Sequence, residues 1–244
     1  MRSLYGAIAN TNKKEIMVKV DDVYQKVLAI ANKEQRGYIT PQEFNLFADH
    51  AQKDIFRQYF YDLEQFERRA GSDIVGLINH KIQPFESGNI EVSHGSTLPL
   101  NTYKIDDAYI DLPGEERTIL QRINRDEVMS IKAAPFLRST TLAPSYYVYN
   151  NTFYTTASNP PINGTYNVIL TRNPIPPNWT YVIVGESAMF DDLVPGFQDF
   201  ELHSSEEALL VIKILQLAGI NIKDPALVQI ASQEEMKKTQ QEKQ

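Results

Sequence analysis

One stretch of the chain has the residue spacing of a calcium-binding loop. Residues 32–43 place glycine at loop position six, isoleucine at position eight and Glu43 at position twelve, as an EF-hand does. The first, third and fifth positions must supply short oxygen ligands, and they hold Asn32, Glu34 and Arg36. An arginine at position five would put a cation beside the metal. We therefore interpret the stretch as a connection between two helices in which Glu43 is a capping residue, and we predict no metal site.

Paired carboxylates are the other residues whose spacing could support catalysis. A hydrolase could use Asp106-Asp107, Glu115-Glu116 and Asp191-Asp192 if these pairs met in one cleft. Adjacent residues of a strand point to opposite faces, and these pairs flank turns, so solvated positions are favoured. The chain has no cysteine, no phosphate-binding glycine motif and no serine-nucleophile motif. The sequence therefore predicts no catalytic residue, no enzyme activity and no cofactor.

A group of aromatic residues in the predicted β region, between residues 146 and 181, could form a stacking platform for a sugar or a single-stranded nucleic acid. Such a platform would make the chain a carbohydrate- or receptor-binding module. Aromatic pairs across neighbouring strands of a small β-structure explain the same pattern, and we favour that interpretation. The residues in question are Tyr146, Tyr147, Tyr149, Phe153, Tyr154, Trp179 and Tyr181.

The charge balance argues against general binding of nucleic acid. The 244 residues contain 24 Lys+Arg and 31 Asp+Glu, for a net charge of -7. Four of the bases and only one of the acids lie in the first 20 residues, so the remainder carries 20 bases and 30 acids, or -10. Phosphate affinity requires clustered positive charge, which this body lacks. No stretch approaches 18 apolar residues, so we predict no membrane span.

The pattern of the first part predicts a flexible N-terminal arm over residues 1–19 and a helical region over residues 20–71. Asp21 is the predicted N-cap of the first helix, and Thr40 with Glu43 forms a capping box for a second, long helix ending near Arg69. Apolar residues of the long helix recur at steps of three and four. Phe56, Phe60 and Tyr61 fall outside that stripe. A second apolar face predicts either a partner or coverage by the β region.

Residues 72–200 form a predicted β-rich region of antiparallel, barrel- or sandwich-like character, because no helices alternate with the strands. Asn150-Asn151 predicts a two-residue hairpin turn, and residues 124–132 predict a short helix. The predicted strands are Ile90–Ser93, Tyr103–Leu112, Thr118–Ile123, Tyr146–Tyr149, Thr152–Thr156, Tyr166–Thr171 and Thr180–Val184.

The C-terminal part predicts helices over residues 201–232 that pack with the N-terminal helices, followed by a polar tail over residues 233–244. A capping box over residues 204–207 begins the first of these helices, and Asp224-Pro225 begins the last, which carries Leu227 and Ile230. The fold class is therefore α+β: an N-terminal helical hairpin with one long helix, a central antiparallel β-rich region and C-terminal helices.

Several stretches resemble head-to-tail connector or ring (adaptor) proteins of tailed bacteriophages, in particular crAss-like and related podovirus-type phages. These short stretches are distributed along nearly the whole chain, from about residue 20 to residue 231. They are Val20–Leu28 (VDDVYQKVL), Asn32–Asn45 (NKEQRGYITPQEFN), Phe60–Leu63 (FYDL), Pro177–Val184 (PNWTYVIV), Asp199–Glu207 (DFELHSSEE) and Lys223–Pro225 (KDP).

The resemblance implies a non-enzymatic virion protein, assembled in the host bacterial cytoplasm, that forms a ring of about a dozen copies at the head–tail junction. Its implied partners are further copies of itself, the portal protein and adjacent tail or ring proteins, with DNA passing through the lumen without sequence-specific binding. A head-completion protein is an alternative within the same class. We place the interface, as a hypothesis, on the outer face of the long helix and on the last helix, at Phe56, Phe60, Tyr61, Leu227 and Ile230.

Overall fold

A computed structural model describes residues 17–33, 38–67, 72–111, 117–133, 144–156 and 165–219. The chain divides into two compact units, one formed by residues 1–84 with 174–244 and the other by residues 85–173. We call them the helical unit and the sheet unit. The α+β class predicted from the sequence is confirmed, with N-terminal helices, central strands and a C-terminal helix.

The described residues form five α-helices, ten strands and three short 3₁₀ turns. The helices are α1 Val20–Lys33, α2 Pro41–Glu67, α3 Ser72–Ile82, α4 Val128–Ala133 and α5 Glu207–Leu217. The strands are β1 Ile90–Val92, β2 Ser96–Thr97, β3 Thr102–Asp111, β4 Thr118–Ile119, β5 Gln121–Arg122, β6 Ser145–Tyr149, β7 Thr152–Thr155, β8 Thr165–Arg172, β9 Tyr181–Val184 and β10 Ser187–Phe190. The 3₁₀ turns are Gln83–Phe85, Arg125–Glu127 and Ser204–Glu206.

Helix α1 buries the apolar stripe that its spacing predicts. Its N-terminus is capped by a residue that is distant in sequence. Its buried residues recur at steps of one, three and four, from Val20 to Ala31. The backbone N–H of Val20 donates to Asp199 Oδ1 at 2.9 Å, so Asp199 caps the helix and the predicted cap, Asp21, does not. Met17 pairs with His203, and the Val18 N–H donates to the Leu202 carbonyl at 3.1 Å. The last residues of the predicted arm therefore belong to the folded unit.

The long helix α2 begins at the predicted capping box. The Thr40 N–H donates to Glu43 Oε2 at 3.0 Å, and the Glu43 N–H donates to Thr40 Oγ1 at 3.3 Å. The 27 residues extend for about 40 Å at 1.5 Å per residue. Both predicted apolar faces are buried: the main stripe, and a second face that includes Phe56 and Phe60. Helices α3 and α5 pack against α2, which shows that much of this surface is covered within the chain itself.

Helix α5 is tied to each of the three N-terminal helices, as the predicted packing of C-terminal on N-terminal helices requires. Ion pairs join Lys26 of α1 to Glu207, and Asp54 of α2 to Lys213. A third ion pair joins Lys81 of α3 to Glu206, in the turn that leads into α5. The capping differs from the prediction, because His203 Nδ1 accepts the N–H of Ser205 at 3.2 Å.

The β-rich region was predicted to begin at residue 72, and this boundary is wrong. Residues 72–82 form helix α3, in which Ile78 and Ile82 are buried one helical turn apart. The predicted boundary lies too early in the chain because it was based on the glycines and prolines that follow this segment. Those residues mark turns of the sheet unit. The sheet unit itself begins at Phe85. The predicted last helix, with Leu227 and Ile230, and the polar tail lie outside the described residues.

The sheet unit contains two four-stranded sheets, ordered β1-β8-β3-β4 and β2-β7-β6-β5. All pairs are antiparallel except the short β5–β6 pair. Asn150 and Asn151 form the predicted hairpin turn, with φ of 46° and 55°. The core combines aliphatic side chains with Tyr146, Phe153 and Tyr166. In the described part of the unit the strands form separate sheets without closing into a barrel.

A buried glutamine on α2 fixes the extended segment that follows the sheet unit. Gln52 is fully buried; its Nε2 donates to the Ile175 carbonyl at 2.8 Å, and its Oε1 accepts the Glu201 N–H at 2.9 Å. The buried Glu201 carboxylate completes the cluster, because its Oε2 accepts the Ile175 N–H at 2.7 Å. The Gln52 side chain thus hydrogen-bonds to backbone groups of two chain segments that lack regular structure.

Replacing Gln52 with methionine, which has a similar length and no amide, should lower the free energy of unfolding by about 3 kcal/mol, because it removes the hydrogen bond to the Ile175 carbonyl and leaves the buried Glu201 N–H without its partner. The matched control is Gln58→Met on the exposed side of the same helix, where we expect a change within about 0.5 kcal/mol. Urea denaturation followed by circular dichroism measures both. Equal effects at the two positions would contradict the role assigned to Gln52.

Candidate interaction surface

An asparagine on α2 holds the proline-rich segment just before β9. Asn45 Oδ1 accepts the Trp179 N–H at 2.8 Å, and Asn45 Nδ2 donates to the Trp179 carbonyl at 3.2 Å and to Asn178 Oδ1 at 2.8 Å. One carboxamide therefore satisfies the N–H and C=O of the same residue, as a neighbouring strand would. This arrangement places residues 178–180 against the helix without a sheet partner at Trp179.

The indole of Trp179 is the apolar anchor of this segment. It is 2% exposed, and its Nε1 donates to Asp21 Oδ1 at 2.8 Å. Its ring lies 4.4 Å from the Tyr24 ring, 5.6 Å from the Tyr181 ring and 6.0 Å from the Phe190 ring, measured between centroids. Asp21, predicted to cap α1, instead receives the indole N–H. A ring so enclosed has no free face on which a sugar or base could stack.

Four other aromatic residues of the predicted platform form two pairs within the sheet unit. Tyr146 and Phe153 stack with centroids 5.4 Å apart, and Tyr147 and Tyr154 stack with centroids 5.2 Å apart. Tyr147 lies directly opposite Tyr154 in the β6–β7 register. Cross-strand packing, the interpretation favoured from the sequence, therefore accounts for these four rings.

Strands β9 and β10 form a two-stranded hairpin whose base packs against Trp179. The Asp191 N–H donates to the Thr180 carbonyl at 3.1 Å and closes the base. Gly185 and Glu186, with φ of 55° and 69°, form the tight turn at the tip. In the structure's described residues this pair of strands constitutes a sheet of its own.

Apolar side chains occupy both faces of this hairpin. Val182 lies opposite Met189 on one face, and Ile183 lies opposite Ala188 on the other. Ile183 is 74% exposed, and several neighbours are also exposed. We call this surface the apolar hairpin: Val182, Ile183, Val184, Met189, Phe190 and the adjoining Leu193.

Such a surface is unusual for a chain that works alone. A two-stranded hairpin has marginal stability in water, and strands of a soluble sheet normally carry polar side chains on their solvent face. Large contiguous apolar patches mark contact sites for other molecules. The base of the apolar hairpin is firmly anchored while its tip is solvated, so the hairpin is the strongest candidate interaction surface in the described residues.

The structure separates the residues of the interface hypothesis. Phe56 and Phe60 are buried, with ring centroids 5.0 Å apart, so the expectation that they form an outer face is wrong. Their burial arises because α2 has helices packed against it within the chain. Tyr61, one residue on, is 60% exposed and remains available. Leu227 and Ile230 lie outside the described residues.

Sequence reasoning missed the apolar hairpin, although one signal was present. Residues 180–184 were predicted as a strand, but the run Tyr181–Val184 has no polar residue at alternate positions. An uninterrupted apolar strand is typical of burial on both faces. Because these residues are exposed, the run makes this strand a candidate contact surface.

The residues considered for catalysis and metal binding are held in structural contacts. Hydrogen bonds from the Thr40 backbone N–H and side chain lower the pKa of Glu43, which caps α2 as predicted. Asp106 pairs with Lys104 and accepts the Thr171 hydroxyl. Asp191 Oδ1 accepts the Leu193 N–H at 2.9 Å. Within the described ranges, no group of three His, Asp or Glu side chains could hold a metal ion. Glu34, Arg36 and the Glu115-Glu116 pair lie outside those ranges.

No protein-family model matches the chain, and no curated protein matches its sequence. None of the helices that the structure describes is long and apolar enough to cross a membrane. The functional assignment therefore has to come from the residues and geometry of the chain itself.

Two neighbouring aromatic residues distinguish core from surface on α2. Phe60→Asp should lower the free energy of unfolding by about 4 kcal/mol or more, because it removes a buried ring and buries a carboxylate. Tyr61→Asp, at the adjacent exposed position, should change it by no more than about 0.5 kcal/mol. Thermal and urea denaturation provide the comparison. A Phe60→Asp variant as stable as Tyr61→Asp would show that Phe60 faces solvent after all.

Proposed function

We propose that the chain is a non-enzymatic structural protein of a tailed bacteriophage, forming a homo-oligomeric ring at the junction of portal and tail through which DNA passes. The observation that carries this proposal is the apolar hairpin. Its strands carry exposed apolar side chains on both faces, whereas its base is fixed by Asn45 and Trp179. This combination suits an element that is buried against another chain on assembly.

A ring follows if the hairpin of one copy contacts a different surface of the next. Contacts of this head-to-tail kind close into rings when the rotation between copies permits. The motifs that resemble phage connector proteins include the hairpin strand itself, Pro177–Val184, and the Asp199–Glu207 segment that caps α1 and leads into α5. The resemblance therefore includes the strand that carries the candidate surface.

The charge of the chain supports a role as a conduit. The net charge is -7, and a wall of the same sign as DNA repels the phosphates, so that DNA can pass without binding. In this proposal the portal protein and the adjacent tail or ring proteins contact the two rims of the ring, and the site of action is the virion.

The copy number in purified virions tests the proposal directly. Quantitative mass spectrometry, scaled against the major capsid protein, should find about twelve copies of this chain per particle. A head-completion protein would give a comparable number, and cryo-electron microscopy of the head–tail junction would separate the two positions. Absence of the chain from the particle would refute a structural role in the virion.

Self-association of the purified chain tests the part played by the hairpin. The variant Ile183→Ser/Val184→Ser should need at least about tenfold more protein to assemble than the wild type, because it removes apolar contact area at the tip. Leu100→Ser is the matched control: Leu100 is 96% exposed in the sheet unit, and its loss should leave assembly unchanged. Light scattering coupled to size-exclusion chromatography measures both. If both variants assemble like the wild type, the hairpin is not the contact.

A further inference from the structure

The segment that carries the apolar hairpin is strongly biased in charge. Residues 173–212 contain seven acidic residues and no lysine or arginine. Glu186 lies at the tip of the hairpin, and Asp192 lies just beyond the end of β10; both are exposed. The apolar hairpin is thus an apolar surface with acidic residues at both ends.

The hairpin also offers backbone hydrogen-bonding groups along its edges. Among the strands that the structure describes, β9 and β10 pair only with each other. Each strand therefore has an outer edge, along which backbone N–H and C=O groups point away from its partner. An extended segment can add to such an edge through main-chain hydrogen bonds, with its side chains beside those of the hairpin. The hairpin thus suits an extended apolar segment with basic flanks.

A segment of this composition lies at the start of the sequence. Residues 3–12 (SLYGAIANTN) carry no charge and contain the mainly apolar run LYGAIA. Arg2 precedes this stretch, Lys13 and Lys14 follow it, and residues 1–16 contain a single acid. We call residues 1–16, which lie outside the described ranges, the N-terminal segment. Its apolar centre and basic flanks are complementary to the apolar strands and acidic ends of the hairpin.

Charge distinguishes this segment from two other occupants of the hairpin. Residues 220–244, which also lie outside the described ranges, contain four lysines and four acids and are neutral. Two hairpins in contact with each other would bring Glu186 and Asp192 of both copies together, and like charges in an interface cost affinity. Of these three occupants, the N-terminal segment is the one that matches the hairpin in both apolar character and charge.

The contacts of residues 17–21 set the direction of the chain where the N-terminal segment begins. Each step toward the N-terminus meets a residue farther along the path from the hairpin to α5. The contacts are Asp21 with Trp179 at the hairpin base, Val20 with Asp199, Val18 with Leu202 and Met17 with His203. The chain at Met17 therefore points away from its own hairpin, which favours the hairpin of a neighbouring copy as the binding site. Sixteen extended residues reach up to about 50 Å, enough to cross to such a neighbour.

We infer that the N-terminal segment of one copy binds the apolar hairpin of the next copy as an added strand. The apolar run of the segment packs against the exposed apolar side chains of the hairpin, and its basic flanks face Glu186 and Asp192. The inference rests on the proposed function and names the contact that joins neighbouring copies of the ring. A segment-to-hairpin contact joins two different parts of the chain, so it is head-to-tail, as closure of a ring requires.

Cross-linking tests the contact directly, because the chain contains no cysteine and each introduced thiol is unique. Ala7→Cys places a thiol in the apolar run, and Ser187→Cys places one at an exposed position of β10. Mixed in equal amounts and treated with a short bis-maleimide, the two variants should link at least about tenfold faster than Ala7→Cys mixed with the control Ser130→Cys, because binding raises the effective concentration of the paired thiols. Ser130 is an exposed serine of the sheet unit. Mass spectrometry of the linked peptides identifies each pair.

The double variant Ala7→Cys/Ser187→Cys separates binding between copies from binding within one copy. When the segment of each copy occupies the hairpin of the next, the bis-maleimide should produce a ladder of linked multimers on a denaturing gel. A linked monomer without a ladder would show that the segment binds its own hairpin. Rapid linking of Ser187→Cys to itself would show that two hairpins meet instead.

Charge reversal gives an independent test in the full-length chain. The segment variant is Lys13→Glu/Lys14→Glu, and the hairpin variant is Glu186→Lys/Asp192→Lys. Each alone places like charges across every contact, so each should need at least about tenfold more protein to assemble than the wild type. Mixed in equal amounts, the two variants can alternate around a ring with an even number of copies, and assembly should return to the wild-type concentration range.

The control for charge matches the hairpin variant. Glu64→Lys/Glu91→Lys replaces two exposed acids outside the hairpin, and each replacement adds two positive charges, taking -7 to -3 as in the hairpin variant. Its assembly, measured by sedimentation velocity at low ionic strength, should match the wild type. Circular dichroism confirms that every variant folds.

Four results would overturn the inference: linking of Ala7→Cys to Ser187→Cys no faster than to the control, linking confined to one copy or to two hairpins, either reversal variant assembling like the wild type, or a mixture as dissociated as its folded components. None of these decides the proposed function, which the copy number in virions tests separately. A segment-to-hairpin contact in a chain that is absent from virions would retain the inferred contact and refute the proposed function.

Discussion

The helical unit depends on two carboxamide side chains of α2 that hydrogen-bond to the backbone of segments without regular structure. Asn45 binds both backbone groups of Trp179, and Gln52, seven residues along the same helix, binds Ile175 and Glu201. Extended backbone laid against a helix has no strand to satisfy its polar groups, and leaving them buried without partners would cost about 1–3 kcal/mol each. These contacts allow the polypeptide between the sheet unit and α5 to pack against α2.

The candidate interaction surface follows from this anchoring. Trp179 is enclosed between Tyr24, Tyr181 and Phe190, and Asp21 accepts its N–H, so the base of the hairpin is held from both strands. A hairpin of four-residue strands needs such support to keep one conformation in water. Fixing the base reduces the conformational entropy that a partner would have to remove on binding, which favours a specific contact over non-specific adhesion.

Sequence patterns over a few residues predicted the helix cap, the hairpin turn and most strands. Features that depend on packing between distant segments were not predicted. The Thr40–Glu43 capping box, the Asn150-Asn151 turn and most strands lie where the sequence placed them, because each depends on neighbours within a few residues. Helix α3 was missed, and Phe56 and Phe60 were assigned to an outer face. Both errors concern which surface another element covers, and periodicity marks an apolar face without identifying what packs on it.

The sequence by itself determined the α+β class, the long helix, its two apolar faces and the acidic character of the body, since propensity, spacing and charge are properties of the chain alone. Only the tertiary structure decided that Asp199 caps α1, that Asp21 holds the indole of Trp179, and that Tyr181–Val184 stands exposed. These outcomes join residues more than 150 positions apart or depend on what is left uncovered. The physical reason is that hydrogen-bond partners and burial are set by the packed arrangement of distant segments, which no local pattern encodes.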